Sequence, residues 1–234
     1  MTSIAIITAR GGSKRIPRKN IKNFCGKPII AYSIKAAIDS KLFDEVMVST
    51  DDEEIADIAK KYGASVPFLR SAENSNDFAT TTDVLKEVLS CYNEKLHKKY
   101  DYFACIYPTA PFVTSNKIKE AFKLLLKSSA DSIMTVTKYS FPPQRSLVSQ
   151  DGYLKYQYPE FSKTRSQDLE PIFHDCGQFY ICKTDIFSKK GLLITDKTIP
   201  YEVPEEEVQD IDNYSDWNIA EIKYKTIYEK AKHV

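Results

Sequence analysis

The residues best suited to chemistry form two segments of opposite charge, one near each end of the chain. The first segment, residues 8–20, places Arg10, Lys14 and Lys19 around the pair Gly11-Gly12. The first 38 residues contain eight Lys and Arg but no Asp or Glu, although the 234-residue chain has a net charge of only +1. Clustered cations and backbone amides at a Gly-Gly turn can hold a polyanion, most commonly phosphate. The sequence therefore predicts a phosphate site at this loop.

The second segment is acidic and follows residue 198. Between Thr198 and Ile222 the chain has eight Asp and Glu and no Lys or Arg. Asp210 and Asp212 are separated by one residue, so in an extended chain both carboxylates lie on the same side. Paired carboxylates suit a hard divalent cation such as Mg²⁺. A solvated acidic loop explains the same run of charge, and the residues alone leave both readings open.

Other classes of phosphate and nucleic-acid site are disfavoured by the sequence. Neither the G-x-x-x-x-G-K-[ST] nor the G-x-G-x-x-G pattern is present, which argues against a Walker loop or a dinucleotide fingerprint. An exposed basic loop and a basic nucleic-acid arm remain alternatives. The arm is the weaker of the two, because the net charge is near zero and the loop lies between an apolar strand and a helix that begins near Pro28.

Composition is that of an ordinary soluble protein, with 42% hydrophobic and 28% charged residues. No apolar run approaches the ~18 residues that a membrane span requires, and the short apolar run at the N-terminus does not match a signal peptide. The five cysteines show no C-x-x-C spacing and are interpreted as reduced packing thiols. We therefore expect a cytoplasmic protein with no membrane partner.

The elements that must position the charged segments alternate between strands and helices. This order predicts a doubly wound, mostly parallel α/β sheet in one domain, residues 1–234, with ligands bound at the carboxyl ends of the strands. Asp51 and Glu54 have the spacing of a capping box for the second helix, and Thr80 can cap the third. The predicted strands are 4–7, 45–50, 65–68, 102–107, 132–137 and 178–182, and the predicted helices are 29–40, 51–62, 80–97, 115–128 and 214–232.

Residues 139–173 interrupt this alternation. The segment carries four prolines and several aromatic residues without a helical period, and it is too aromatic for a disordered linker. We expect a β-rich insertion that packs against a second subunit or covers the substrate.

The run Arg10-Gly-Gly-Ser-Lys-Arg-Ile-Pro-Arg-Lys-Asn20 resembles the signature of the CMP-sialic acid synthetase family, the cytidylyltransferases that activate sialic-acid-like sugars. Segments 49–51, 70–73, 77–81, 107–111, 165–169, 174–180 and 210–212 are also similar to family segments, so the resemblance covers nearly the whole chain. Arg15 stands where enzymes for N-acetylneuraminic acid usually have Gly, and Tyr107 where they have Gln. Both departures favour the pseudaminic acid branch of the family.

The resemblance implies a Rossmann-like nucleotidyltransferase fold, a homodimer, and a reaction that joins CTP to a nine-carbon 2-keto acid sugar with release of diphosphate. It implies a catalytic role for Arg10, Lys14, Lys19 and Asp212, and Mg²⁺ held by Asp210 and Asp212. The implied nucleotide contacts are Ala9, Arg10, Gly11, Gly12, Ser13, Lys14, Lys19, Asn20, Arg70, Asp77 and Thr80. The implied sugar contacts are Tyr107, Thr109, Arg165, His174, Gln178 and Tyr180.

Three alternatives accompany this reading. The sugar could be legionaminic or N-acetylneuraminic acid instead of pseudaminic acid. A non-catalytic protein that binds a nucleotide sugar could use the same loop, although binding alone does not require the Asp-x-Asp pair. A nucleic-acid module would bind DNA or RNA with a strong dependence on salt.

Overall fold

The computed structural model describes residues 1–229, and its centre is a six-stranded sheet. The sheet has the strand order β10-β6-β9-β5-β1-β4. Its strands are β1 (Ser3–Thr8), β4 (Glu45–Ser49), β5 (Tyr102–Ile106), β6 (Ser132–Lys138), β9 (Phe173–Lys183) and β10 (Thr198–Glu202). Two short hairpins lie outside it, β2 (Asn23–Phe24) with β3 (Lys27–Pro28), and β7 (Leu147–Gln150) with β8 (Tyr153–Tyr156).

Most of the sheet is parallel, as the alternation of elements predicts. Strand β1 pairs in parallel with both β4 and β5, and β10 pairs in parallel with β6. Strand β9 is antiparallel to both of its neighbours, β5 and β6, and the register of the β6 pairing shifts between Met134 and Val136. The mostly parallel, Rossmann-like α/β fold is therefore confirmed, with one reversed strand near its centre.

Helices cover both faces of the sheet, which explains why its central strands are apolar along their whole length. The helices are α1 (Ile30–Ser40), α2 (Glu53–Lys61), α3 (Thr81–Lys95), α4 (Ser115–Lys127), α5 (Thr184–Lys190) and α6 (Tyr214–Tyr224). Helices α1, α2 and α4 bury residues against one face, and α3 and α5 against the other. None of the helices within residues 1–229 is both long and apolar enough to cross a bilayer.

A third apolar cluster connects the two charged segments of the chain. Phe24 of β2 packs edge-on against Trp217 of α6, with ring centroids 5.5 Å apart. Ile16 of the basic loop and Ile211 of the acidic segment are both buried in this cluster. Burial of these apolar side chains in one core therefore brings together segments almost 200 positions apart.

Several local predictions were wrong by a residue or by the type of element. Residues 65–68 do not form a strand, because only Ser65 bridges to Met47. Asp52, not Asp51, caps α2, because the Asp52 side chain accepts the N–H of Ile55 at 2.9 Å. Thr80 forms the expected capping box of α3. The last helix continues as a π-helical turn at Lys225–Glu229, and the rest of its predicted range lies outside the described residues.

The insertion at residues 139–173 is rich in exposed apolar side chains. Its β7–β8 hairpin is solvent-exposed along both strands, and Tyr153 and Leu154 are 74% and 70% exposed. Phe141, just before the hairpin, is 89% exposed. The β structure expected from the sequence is limited to this hairpin, and three short 3-10 turns are the other regular elements of the segment.

A half-buried polar cluster at the start of β4 joins this strand to α3 and to two neighbouring loops. The Glu45 carboxylate accepts hydrogen bonds from Tyr92 and Ser65 at 2.7 Å and from Tyr100 at 2.9 Å, and it pairs with Lys98 at 3.0 Å. Burial of Glu45 opposes its ionisation, but these four donors together lower its pKa to about 2.

Replacing Glu45 with Gln is expected to lower the free energy of unfolding at pH 7 by about 3 kcal/mol. Because the pKa of Glu45 in the folded protein lies below its ordinary value of 4.5, the stabilisation is full above that value and disappears as the pH falls towards 2. Denaturant unfolding of both proteins from pH 7 to pH 3 should therefore show a difference that shrinks in acid. The exposed-acid variant Glu206→Gln is the control, and a Glu45→Gln difference that does not vary with pH would contradict the assignment.

Candidate active site

The charged segments meet at a cleft of about 520 Å³ beside the carboxyl ends of β1 and β5. This is the sheet edge at which ligands bind in open α/β folds. The predicted residues that line it are Arg10, Ser13, Lys14, Lys19, Asn20, Arg70, Asp77, Tyr107, Thr109 and Asp212. The lining also includes residues that the sequence reading left out of the site, namely Thr8, Arg15, Ile16, Ala79, Thr81, Val84 and Pro108.

Glycine at position 11 is explained by packing against Asp52, and not by the contact with phosphate that the sequence suggests. A Cβ on Gly11 would lie 2.9 Å from the Asp52 carboxylate, so the close approach of α2 requires glycine there. The Gly11 N–H donates to Asp51 Oδ1 at 2.9 Å, and the Ser13 N–H donates to the Gly11 carbonyl. Two of the three amides expected to face phosphate thus have partners inside the protein. A Cβ on Gly12 would meet no atom within 4 Å, which leaves its side open to a ligand.

Arg10 and Lys14 share one carboxylate. Arg10 Nη1 lies 2.9 Å from Asp77 Oδ1, and the Lys14 ammonium pairs with the other oxygen. The hydrogen bonds from Lys14 and Arg10 lower the pKa of Asp77. All three side chains are at least a third exposed, so these pairs are weak individually. The two cations are therefore held side by side on one exposed carboxylate.

Lys19 joins the basic loop to the acidic segment. Its Nζ donates to the carbonyl oxygen of Ile211 at 2.7 Å, between the two predicted metal ligands. Partial burial lowers the pKa of Lys19, while the carboxylates of Asp212 and Asp210 act in the opposite direction. Arg15 adds a second link, with Nη2 2.7 Å from Asp212 Oδ1. The predicted meeting of the two segments is thus a direct contact.

Asp210 and Asp212 form a donor set that suits a hard divalent cation. Partial burial and, to a lesser extent, the charge of Asp212 raise the pKa of Asp210. No group of three or more His, Cys, Asp or Glu among residues 1–229 is arranged for a metal ion. Mg²⁺ is commonly held by only one or two carboxylates, with substrate phosphates and waters completing its shell. Asp212 lines the cleft, whereas the other predicted ligand, Asp210, lies outside the lining, so the carboxylate that faces the cleft and fits this cation is that of Asp212.

Arg70 and Asn20 form the buried floor of the cleft. Arg70 is only 7% exposed, and its Nε lies 3.0 Å from Ser49 Oγ at the end of β4. Burial lowers the pKa of Arg70 to about 10, so it remains charged at neutral pH. Asn20 Nδ2 donates to the Arg10 carbonyl at 2.9 Å, which fixes the backbone of the basic loop.

Several predicted residues lie outside the cleft lining. Thr80 caps α3, and Ala9 is buried with its N–H bonded to the Ser49 carbonyl. The Tyr180 hydroxyl donates to Asp175. The ring of His174, in β9, packs against the ring of Tyr139. Arg165 is 72% exposed and pairs with Asp168 at 2.7 Å.

Gln178 belongs to a support for the acidic segment that sequence reasoning missed. Its Nε2 donates to the Glu207 carbonyl at 2.6 Å, and the Glu207 carboxylate pairs with the mostly buried ammonium of Lys117 on α4. The backbone carbonyl of Gln178 also accepts the N–H of Tyr107, a cleft residue. Nothing in the sequence pattern links Glu207 to a residue as distant along the chain as Lys117.

A larger cavity of about 1000 Å³ lies at the opposite edge of the sheet, where Tyr102 begins β5. None of the predicted site residues lines it. Size alone would favour this cavity, but the convergence of cations and carboxylates makes the smaller cleft the candidate site.

Comparisons with known proteins identify the family to which the chain belongs. Residues 4–170 match the family model described as cytidylyltransferase, and the chain belongs to that family. A pseudaminic acid cytidylyltransferase from Campylobacter jejuni is 38% identical over 232 residues, which is 99% of this chain and all of the relative. A CMP-N,N'-diacetyllegionaminic acid synthase from Legionella pneumophila is 35% identical, covering 94% of this chain and 95% of its own.

Solved structures agree with the fold. The structure of CMP:2-keto-3-deoxy-manno-octonic acid synthetase complexed with CTP superposes with a TM-score of 0.69, covering 100% of both chains at 16% identity. This likeness bears on the architecture alone. The family match and the full-length relative confirm the predicted class of enzyme, a nucleotidyltransferase that uses CTP.

Proposed function

We propose that the protein transfers CMP from CTP to pseudaminic acid and releases diphosphate. The observation that carries the proposal is the direct contact of the basic loop with the Asp-x-Asp segment in one cleft, through Lys19 and Arg15. The full-length similarity to a pseudaminic acid cytidylyltransferase supports the choice of sugar, and so does Tyr107 at the mouth of the cleft.

In the proposed reaction the anomeric hydroxyl of the sugar attacks the α-phosphorus of CTP, and diphosphate leaves from the opposite side. Arg10 and Lys14 would bind the β- and γ-phosphates in place of Asp77, and so neutralise charge that builds up on the leaving group. Lys19 would stay on the Ile211 carbonyl and hold the acidic segment against the loop. Arg70 lies deep in the cleft and is the candidate contact for the base.

Asp210 and Asp212 would hold Mg²⁺ in this proposal. A bound Mg²⁺ supplies charge neutralisation at the α-phosphate and lowers the pKa of a coordinated hydroxyl. The protein's own contribution is to hold the backbone of the segment that carries them, through the Lys19 bond to the Ile211 carbonyl and the Asp212 N–H bond to Asp216 at 2.9 Å. Two of the residues that line the cleft carry carboxylates. They are Asp77, which pairs with the cations of the loop, and Asp212.

The test of the sugar is a diphosphate-release assay with CTP and purified pseudaminic, legionaminic and N-acetylneuraminic acids. We expect the highest kcat/KM with pseudaminic acid. Legionaminic acid is the second candidate, because the Legionella pneumophila relative is similar over nearly the whole chain. A higher kcat/KM with legionaminic or N-acetylneuraminic acid would overturn the choice of sugar and leave the reaction class intact.

We also propose a cytoplasmic homodimer in which residues 139–173 pack against the second subunit. The exposed apolar side chains of the β7–β8 hairpin support this arrangement, since a patch of this kind on a soluble protein commonly marks an interface. Arg165 belongs to the same insertion and lies outside the cleft of its own subunit. Its predicted contact with the sugar carboxylate would then be made across the dimer.

Leu154→Asp is expected to convert the dimer to a monomer, because it puts a charge in the proposed interface. Sedimentation velocity at micromolar protein concentration measures the change. Leu192→Asp is the matched control, because Leu192 is 55% exposed and lies outside the insertion. A wild-type protein that sediments as a monomer would contradict the proposal.

A further inference from the structure

The cations of the basic loop are held in different ways. Lys19 is half-buried and fixed on the Ile211 carbonyl. Arg18 is turned away from the cleft and pairs with Asp52 and Glu54 at the start of α2. Arg15 is 67% exposed and lines the cleft, with its guanidinium on Asp212. Arg15 is therefore the loop cation that contacts a proposed metal ligand directly and is free to change partner at little cost.

We propose that Arg15 is an exchangeable counter-ion that occupies Asp212 until the triphosphate of CTP binds. The proposal rests on the function proposed above, and specifically on Asp212 as a cation ligand. A guanidinium 2.7 Å from Asp212 Oδ1 takes the position that a divalent cation would need on that oxygen. Arginine forms strong two-pronged contacts with phosphate, so an incoming triphosphate offers it a better partner than one exposed carboxylate.

The exchange couples the two ligands. When Arg15 moves to the phosphates, Asp212 loses its counter-ion and becomes available to the cation. By thermodynamic linkage, a nucleotide that strengthens cation binding is itself bound more tightly when the cation is present. Lys19 takes no part in the exchange, because its Nζ is bonded to the backbone carbonyl of Ile211. The device gives the free cleft a low affinity for divalent cations and reserves the site for the nucleotide complex.

Mn²⁺ binding to the nucleotide-free protein tests the proposal, with free Mn²⁺ measured by its EPR signal. Arg15→Met should bind Mn²⁺ about fivefold more tightly than the wild type, the upper range for loss of one exposed ion pair. Lys14→Met is the matched control. It also removes one positive charge from the cleft, but Lys14 pairs with Asp77 and not with Asp212. Its effect should be clearly smaller. No tightening in Arg15→Met, or equal tightening in both variants, would overturn the proposal.

Asp212→Asn in the wild-type and Arg15→Met backgrounds separates this proposal from the metal assignment. If Asp212→Asn weakens Mn²⁺ binding and Arg15→Met does not tighten it, the exchange is wrong and the metal ligand stands. If Asp212→Asn leaves Mn²⁺ binding unchanged in both backgrounds, the metal ligand itself is wrong. Arg15 is exposed, so the variant should keep the wild-type melting temperature, which confirms that folding is not the cause of any change.

Discussion

Asp212→Asn is expected to lower kcat by about 10²- to 10³-fold, the usual cost of removing one charged group that acts on the transition state. The substitution keeps the shape of the side chain and removes its charge. The Asp212 carboxylate pairs with Arg15 of the basic loop, and the Asp212 backbone N–H donates a hydrogen bond to the Asp216 carboxylate. The loss should therefore come from the missing ligand for the proposed cation, not from a displaced segment.

The measurement is steady-state diphosphate release at saturating CTP and sugar, across a range of Mg²⁺ concentration. Glu206→Gln is the matched control, because Glu206 lies in the same acidic segment, is exposed and is outside the cleft lining. It should retain wild-type turnover. Undiminished turnover in Asp212→Asn at every Mg²⁺ concentration would refute the role given to this carboxylate.

Lys19→Met should produce a loss of similar size, about a hundredfold in kcat. The ammonium of Lys19 is the group that bonds the basic loop to the backbone between Asp210 and Asp212. Methionine keeps the length of the side chain and removes both the charge and the donor. Because burial already lowers the pKa of Lys19, the apolar replacement should cost little stability.

Kinetics and thermal unfolding together test this expectation. Lys35→Met is the matched control. Lys35 also belongs to the basic N-terminal region, but it lies on the exposed face of α1, so this variant should keep the wild-type kcat. A melting temperature near the wild type with a large loss of kcat would support the role of Lys19 in the site. Wild-type kcat in Lys19→Met would show that the contact with Ile211 is dispensable.

The architecture was predictable because the strands that form the centre of the sheet are short, apolar and separated by helix-period segments. Strand β1 and the helix after it follow this rule closely. The antiparallel direction of β9 was not predictable, because the apolar pattern of a buried strand does not depend on its direction in the sheet. Residues 65–68 illustrate a further limit, since Ser65 makes one bridge and Pro67, which lacks an N–H, cannot donate to a longer ladder.

The parts of the site that lie in strongly charged segments were predictable. The contacts between individual side chains from distant parts of the chain were less so. The opposite charges of the two segments anticipated that Lys19 and Asp212 lie in one cleft. The exchange of roles between Asp51 and Asp52 depends on which of two adjacent acids faces the turn. The pair of Lys117 with Glu207 links α4 to the acidic segment through the fold alone, so no local pattern reports it.

The most direct test of the central claim is the fate of the α-phosphate of CTP. With CTP labelled at the α-phosphate and pseudaminic acid as acceptor, the label should appear in a sugar product, with one unlabelled diphosphate released per sugar joined. Without the sugar, the label should remain in CTP. Label that appears in free CMP without dependence on the sugar, or no transfer to any of the three nonulosonic acids, would contradict the account.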